Sequence, residues 1–335
     1  MKILIVASNM VHINNFHLPY INELKNQGNE VFVMARGEGA DFDIPFEKKS
    51  LSFANYKISK KIKQIIKENN FDVIFLHTTL AAFWVRYALK GLKNRPKVIN
   101  VVHGYLFGKT SSKLHNFLYL SLEKSLRKLT DYILTMNQED YEIASKNKLS
   151  LNGAITIHGM GFKPLDFEYT PKNNKKIVFV GEISKRKNQE LLVKALKFLP
   201  EHTLTLVGDG LERSNIEKLA KKLKVASRVQ VTGYTKDVSL YLKEADIYVS
   251  ASKIEGLPFN ILEAMSAKMP ILASNIKGHK DLLPKENLFD LNNIKELVDK
   301  IKKISLEGKE YTVSPYTYEM VFDWNIETYK ELINE

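Results

Sequence analysis

Short, wholly apolar runs alternate with stretches of helical periodicity along almost the entire chain. The runs at 3–7 (Ile-Leu-Ile-Val-Ala), 31–34, 72–76, 98–102 and 132–135 are expected strands, and helices fit near 19–27, 81–90 and 114–128. Strands that are apolar on both faces, spaced by helices, belong to a parallel sheet covered on two sides. The pattern then restarts, with strands expected at 177–180, 203–207, 228–232, 247–250 and 270–273, and helices near 189–198, 213–223, 260–267 and 294–304. Between the two series, His158-Gly-Met-Gly-Phe-Lys-Pro and the polar stretch 170–176 show glycines, a proline and no periodicity, which marks a linker. The expectation is an α/β chain of two doubly wound domains, 1–160 and 161–315, followed by a helix at 316–335 whose apolar positions are Met320, Val321, Trp324, Ile326, Tyr329 and Ile333. No short-period repeat is visible, which argues against a solenoid.

The length of 335 residues suits two such domains, and 44% hydrophobic with 26% charged residues is a globular composition. The absence of cysteine excludes disulfides, thiolate metal sites and Cys nucleophiles. The apolar run at the start is too short for a signal peptide, and no stretch approaches the ~20 apolar residues of a membrane span. A soluble or peripheral protein is expected. Charge changes the picture more. Of the net +12, residues 1–150 carry 22 Lys/Arg against 13 Asp/Glu, so the first domain calls for an anionic partner. Its densest cluster, Lys57, Lys60, Lys61, Lys63 and Lys67, is interleaved with Ile58, Ile62, Ile65 and Ile66 at helical spacing. A solvated helix face, a membrane-surface contact and a nucleic-acid contact all fit that pattern. No RNA-binding strand motif accompanies it, so nucleic acid is not an expected partner.

Ligands of open parallel sheets bind beyond the carboxyl ends of the strands, so chemistry is sought in the strand-to-helix loops and in the cleft between the two domains. Glu255-Gly-Leu-Pro-Phe-Asn-Ile-Leu-Glu263 follows an expected strand and opens a helix, where backbone N–H groups favour a phosphate and a carboxylate can bind vicinal hydroxyls. Two glutamates that merely suit the helix dipole are the other reading. His103, beside Gly104, ends the strand 98–102, and His77 ends the strand 72–76. His12 and His17 lie in an expected loop at 8–17 that also holds Asn9, Asn14 and Asn15, a residue type that tolerates left-handed backbone. Asp41-Phe-Asp43 has the form of a metal–diphosphate motif without the matching context, and no P-loop, H-E-x-x-H or G-x-S-x-G is present.

The spacing of Glu255 and Glu263 resembles the E-x7-E motif of retaining glycosyltransferases of family 4, here in the form E-G-x-P-x-x-x-x-E-A. Val178-Phe-Val-Gly-Glu-Ile-Ser-Lys-Arg-Lys-Asn, Leu206-Val-Gly-Asp-Gly, Val231-Thr-Gly-Tyr-Thr-Lys-Asp-Val, Ala245-Asp-Ile-Tyr-Val-Ser-Ala-Ser and Gly278-His-Lys-Asp-Leu fall in register with it. In the first half, His103-Gly-Tyr-Leu-Phe and Thr130-Asp-Tyr-Ile-Leu-Thr-Met-Asn look like the capsule and exopolysaccharide branch of that family. The resemblance covers nearly the whole chain. It implies the GT-B fold, two Rossmann-like domains facing a cleft, with a C-terminal helix that crosses back to the first domain. It also implies a sugar nucleotide, most often UDP-linked, as donor, with neither metal nor cofactor. Glu255 would hold the donor sugar, Glu263 the ribose and Lys187 the diphosphate, with Gly181, Lys185 and Arg186 in the same loop. Gly256, Leu257, Pro258, Phe259 and Asn260 would complete the donor loop, Gly233 and Tyr234 would line the nucleobase pocket, and Gly278-His279 either closes over the donor or is a plain turn. Gly208 and Gly210 read as a structural turn. His103 would act with Glu255 at the reacting centre, and Asn9, His12, His77 and Tyr105 would lie on the acceptor side. One departure stands out: Glu182 occupies the position where the family often has an arginine for the diphosphate, so Lys185 or Arg186 must substitute or Lys187 act with backbone amides.

The branch usually extends a sugar on an undecaprenyl diphosphate, which implies a cytoplasmic enzyme peripheral on the inner face of an anionic membrane. The segment 105–126, rich in aromatics and leucines beside Lys109, Lys113 and Lys124, reads either as an interfacial element or as a core helix. A sugar-nucleotide epimerase on the same fold and a basic adaptor for anionic lipid or nucleic acid are the competing readings. The first would consume donor without acceptor; the second would ignore nucleotides.

Overall fold

A computed structural model describes residues 1–47 and 53–334; Glu335, the last residue of the expected terminal helix, lies outside the described residues. The chain forms two units, Met1–Gly161 with the segment from Tyr318 onward, and Phe162–Thr317. The boundaries fall one and two residues beyond the positions read from the sequence.

Among the described residues, unit 1 has seven strands: β1 Lys2–Val6, β2 Glu30–Ala35, β3 Phe42–Asp43, β4 Val73–Leu76, β5 Lys97–Val102, β6 Tyr132–Thr135 and β7 Ala154–Thr156. They pair in parallel in the order β3-β2-β1-β4-β5-β6-β7, with Val6 in register with both Met34 and Leu76. The order reverses at β1/β4, so the crevice for a ligand lies at the carboxyl ends of these strands and of β5. Its helices are α1 Met10–Phe16, α2 Leu18–Asn26, α3 Phe53–Asn69, α4 Thr79–Ala88, α5 Lys113–Leu126 and α6 Gln138–Lys146. In α3 the lysine pattern resolves cleanly: Ile62, Ile65 and Ile66 are buried in the sheet core while Lys57, Lys60, Lys61 and Lys67 are exposed.

One expectation fails here. The segment 8–17 is not a loop, because Asn9 caps α1: its backbone is extended (φ −157°) and its side-chain oxygen accepts the His12 N–H at 3.0 Å. An asparagine in that place satisfies an orphan donor of the first turn, which outweighs its tolerance of left-handed geometry. The strands β3 and β7 were absent from the sequence reading, since two- and three-residue edge strands carry no apolar run. Asp41 and Asp43 serve this edge, accepting the backbone N–H groups of Val33 and Gly37 at 2.7 and 3.1 Å. Their spacing is thus explained by backbone hydrogen bonding.

Unit 2 repeats the plan with β8 Lys176–Val180, β9 Thr203–Val207, β10 Val229–Gly233, β11 Ile247–Ser250, β12 Ile271–Ser274 and β13 Leu288–Phe289, all parallel, in the order β10-β9-β8-β11-β12-β13. The helices are α7 Gln189–Ala195, α8 Arg213–Lys222, α9 Ser239–Lys243, α10 Phe259–Ser266, α11 His279–Leu282 and α12 Ile294–Lys303. Leucine, isoleucine and valine from α7, α12 and the strands form one core. The polar stretch 170–176, read as linker, is folded onto this unit: the Asp246 carboxylate accepts the N–H groups of Lys172, Asn173, Asn174 and Lys176 at 2.8–3.1 Å. A single buried carboxylate thereby replaces the apolar contacts that the stretch lacks.

The last helix, α13 Tyr318–Asn334, belongs to unit 1. Val321, Ile326, Tyr329, Leu332 and Ile333 are buried, Tyr329 lies 4.6 Å from Phe75 between ring centroids, and Asn325 donates to Gly159 O at 2.8 Å. Met320 and Trp324, expected on the apolar face, are 61% and 40% exposed. The crossing requires Gly161, whose φ is +81° and where a Cβ would lie 2.7 Å from the Tyr318 backbone.

Candidate active site

In unit 2 the strand order reverses between β8 and β11, and the loops that leave these strands, 181–188 and 251–258, meet at that point. They are tied by backbone and amide bonds: Lys253 N–H to Arg186 O at 2.8 Å and Asn188 Nδ2 to Ala251 O at 3.1 Å. Between them Glu255 is 7% exposed. Its Oε1 accepts from Lys187 Nζ at 2.6 Å and its Oε2 from Arg186 Nη1 at 2.9 Å. Burial alone pushes this carboxyl up, but Lys187 and Arg186 overcome it and hold the acid at about 2. Glu255 is therefore ionised at any physiological pH. Lys187 is buried with it, Arg186 is half-exposed, Lys185 points to solvent, and Glu182 is exposed. Of the three cations in the loop, two face Glu255, and the exposed Glu182 adds no second carboxylate to the cluster.

The cluster is seated by close backbone approach. A Cβ at Gly208 would lie 2.1 Å from Gly181 O, and one at Gly278 2.6 Å from Gly256 O. Both glycines have positive φ, +143° and +79°. Gly208 therefore supports the 181–188 loop directly, and Gly278 packs under the Glu255–Gly256 turn. Beneath them His279 is fully buried, its Nδ1 2.9 Å from Ser274 O and its Nε2 3.3 Å from Ser250 Oγ; burial pushes it down to about 4, so it is neutral. Leu257 and Pro258 are buried and Phe259 starts α10. Asn260 donates through Nδ2 to Val180 O at 2.9 Å, so its amide anchors α10 to the end of β8. The buried Tyr248, which the sequence reading gave no role, reaches the same carbonyl at 3.4 Å. Glu263 lies one turn deeper in α10, and burial pushes its carboxyl up to about 7. Gly233 ends β10 with φ +81°, and Tyr234 beside it is 80% exposed. A cavity of about 690 Å³ beside Pro270 and Lys303 opens at the amino end of β12, away from this cluster and from the end where parallel sheets bind ligands.

In unit 1, His77 and His103 follow β4 and β5, with His103 Nε2 3.4 Å from His77 Nδ1. Together with His12, Thr78, Gly104 and Tyr105 they line a pocket of about 190 Å³. Its floor is a buried bidentate pair, Arg86 to Glu123 at 2.8 and 3.0 Å. Two of the residues expected on the acceptor side have local structural roles. Asn9 is committed to capping α1, and Tyr105 is 3% exposed, packed 5.0 Å from Phe107 between ring centroids as part of the core. His17, which the sequence reading placed in the expected loop at 8–17 without a role, is 1% exposed and its ring lies 3.8 Å from that of His77. Its spacing from His12 does not match one helical face, because His12 lies within α1 and His17 is the junction residue between α1 and α2.

Two Rossmann-type sheets in tandem, the second with an ionised glutamate flanked by cations at its switch point, have the GT-B fold of solved glycosyltransferase structures. Residues 2–137 match the family described as glycosyl transferase 4-like, and residues 164–314 match glycosyl transferases group 1. Bacillus subtilis (strain 168) EpsD, itself assigned provisionally as a glycosyltransferase, is 29% identical over 84% of this chain and 81% of its own length. An Escherichia coli protein named UDP-Gal:alpha-D-GlcNAc-diphosphoundecaprenol alpha-1,3-galactosyltransferase is 26% identical over 72% of this chain and 68% of its own. Among solved structures, Anabaena HepE in complex with UDP and glucose superposes with a TM-score of 0.74 over 98% of this chain and 99% of its own, at 17% identity.

Proposed function

We propose that the protein is a retaining, metal-independent transferase that moves a hexose or N-acetylhexosamine from a UDP-sugar to an undecaprenyl-diphosphate-linked glycan in surface-polysaccharide assembly. The observation that carries this reading is the Lys187–Glu255–Arg186 cluster at the switch point of unit 2. A diphosphate leaving group gains negative charge as the bond to the sugar breaks, and fixed cations in a desolvated site stabilise that charge without reorganising. Both cations keep N–H donors beyond those given to Glu255. Glu255, always ionised, is a pure acceptor and suits the hydroxyl hydrogens of the donor sugar. The bond from the anomeric carbon to the diphosphate oxygen breaks, the acceptor oxygen bonds to that carbon on the same face, and the acceptor proton passes to the departing phosphate. His103 is assigned to the reacting face, as the family resemblance implies.

The donor and acceptor named for the Escherichia coli relative support this substrate pair, and the UDP and glucose of the HepE structure support a UDP-linked donor. No helix among the described residues is long and apolar enough to cross a membrane. On α5, however, Leu114, Phe117 and Leu118 are 69%, 67% and 52% exposed beside the exposed Lys113 and Lys124, which favours peripheral contact with an anionic membrane surface. The test is thermal stabilisation by UDP, GDP, ADP and CMP, with and without EDTA. Selective stabilisation by UDP that persists in EDTA is expected. GDP or ADP selectivity changes the donor; a null result with all four removes the donor-site assignment.

Glu263 supplies a pH signature. A carboxyl titrating near 7 accepts two ribose hydroxyls only when ionised, so UDP affinity should rise as pH increases from 6 to 8. The phosphate of UDP also titrates near 6, so the decisive quantity is the difference from Glu263→Gln. Calorimetric titrations should show a steeper rise in the wild type, by about threefold to tenfold over that range. Parallel slopes for the two proteins would place the ribose elsewhere.

A further inference from the structure

Three histidines of unit 1 form a group that the role of His103 at the reacting face does not by itself account for. His12 stands on α1, His17 at the junction of α1 and α2, and His103 at the end of β5. Ring centroids are 5.0 Å apart for His12 and His17, 4.9 Å for His12 and His103, and 5.6 Å for His17 and His103. One ring nitrogen from each of the three lies within 4.8 Å of the others. The Nε2 atoms of His12 and His17 are buried and have no hydrogen-bond partner among the described residues. His17 is 1% exposed, so bulk solvent does not reach it.

Two desolvated ring nitrogens without partners are a standing cost to the fold, the kind of exception that calls for a missing ligand. Burial lowers His12 to about 4 and puts His17 and His103 well below the usual imidazole range. Neutral rings with converging lone pairs are the donor set of a borderline transition-metal dication, whereas calcium and magnesium require oxygen ligands that this group lacks. Zinc–nitrogen bonds of about 2.0–2.1 Å in a tetrahedron place ligand nitrogens roughly 3.4 Å apart. From within 4.8 Å, the rings would have to rotate to reach that spacing on binding. His77, 3.4 Å from His103 Nε2 through its Nδ1, supplies the outer contact that fixes a ligating ring.

We infer that His12, His17 and His103 form a binding site for a single zinc-class dication, with one coordination position open to water, and that its occupation withdraws His103 and inhibits transfer. The binding rests on this geometry alone; the inhibition rests on the role of His103 given above.

The full chain, stripped with chelator and dialysed, is titrated with zinc sulfate against a chromophoric chelator, and separately with cobalt(II) to read the visible absorption of a four-coordinate ion. One equivalent is expected, with affinity falling at least about tenfold in His17→Gln. Should His17→Gln fail to fold, which circular dichroism reports, His12→Gln on the half-exposed rim gives the same reading. Undiminished affinity in whichever variant folds, or no binding by the wild type, overturns the site. Transfer by the wild type should fall on adding zinc and return with EDTA, while the variant ignores zinc. Stoichiometric zinc that leaves transfer untouched overturns the inhibition and the role of His103 together. Absence of transfer with every donor overturns the proposed function instead, with zinc binding still measured.

Discussion

Glu255→Gln is expected to lose transfer by roughly 10²–10³-fold and to melt on the order of 10 °C lower than the wild type. The two effects share one origin. Glu255 neutralises Lys187, which is only 8% exposed, and a glutamine in its place leaves that ammonium buried without a counter-charge. Breaking a buried pair from one side costs about 3–5 kcal/mol. Arg186 is more exposed and can turn to solvent, so the penalty falls on Lys187. The double variant Glu255→Leu/Lys187→Met removes the pair as a whole and should recover most of the stability while remaining inactive. Thermal melts and initial rates on the three proteins separate the roles. A double variant as unstable as Glu255→Gln would mean that the cluster is held by something other than this pair, and a Glu255→Gln enzyme within a few-fold of wild type would mean that Glu255 does not hold the donor.

The same pair sets a pH limit. The folded Glu255 ionises at about 2 and an ordinary glutamate near 4.5, so the unfolded chain takes up its proton first as the solution is acidified. Its contribution, about 3 kcal/mol, is fully present above pH 4.5 and is lost as pH falls toward 2. Glu263 works in the opposite sense, since its folded value of about 7 makes its contribution fall as pH rises from 4.5 to 7.

Gly208→Ala should weaken UDP binding by at least about tenfold and cost about 2–4 kcal/mol. Its φ of +143° penalises any side chain, and its Cβ would meet Gly181 O at 2.1 Å, a backbone atom that cannot rotate away. The 181–188 loop must then move, taking Arg186 and Lys187 with it. Gly153→Ala provides the reference: φ is +110° there, yet nothing lies within 4 Å of the new atom. The excess of Gly208→Ala over Gly153→Ala in thermal melts is the clash itself. Equal losses, with UDP affinity unchanged, would show that the loop absorbs the methyl group and that Gly208 does not position the cations.

The donor loops were legible because each is a local pattern. An apolar strand, a glycine where the chain must turn and a helix start are all written within about ten residues, which located the loop of Glu255 and Glu263, while Lys187 and Arg186 were singled out by the family resemblance. The segment 8–17 misled because Asn9 supports either a left-handed turn or a helix cap, and only the His12 N–H above it decides which. For Tyr105 the strand-end position does not say whether the aromatic ring turns outward or toward Phe107, and only the packing shows the latter.

By itself the sequence determined the class of architecture, two parallel α/β sheets, and where on each the chemistry had to be sought, since side-chain periodicity and strand-end loops depend only on neighbours along the chain. Tertiary structure alone decided which charges meet. Lys187 reaches Glu255 across 68 residues, Gly208 touches Gly181 from the next strand, and His17 joins His103 from a different layer of unit 1. Coulombic and contact energies depend on distance in space, and the folding of the strands into register brings these groups together.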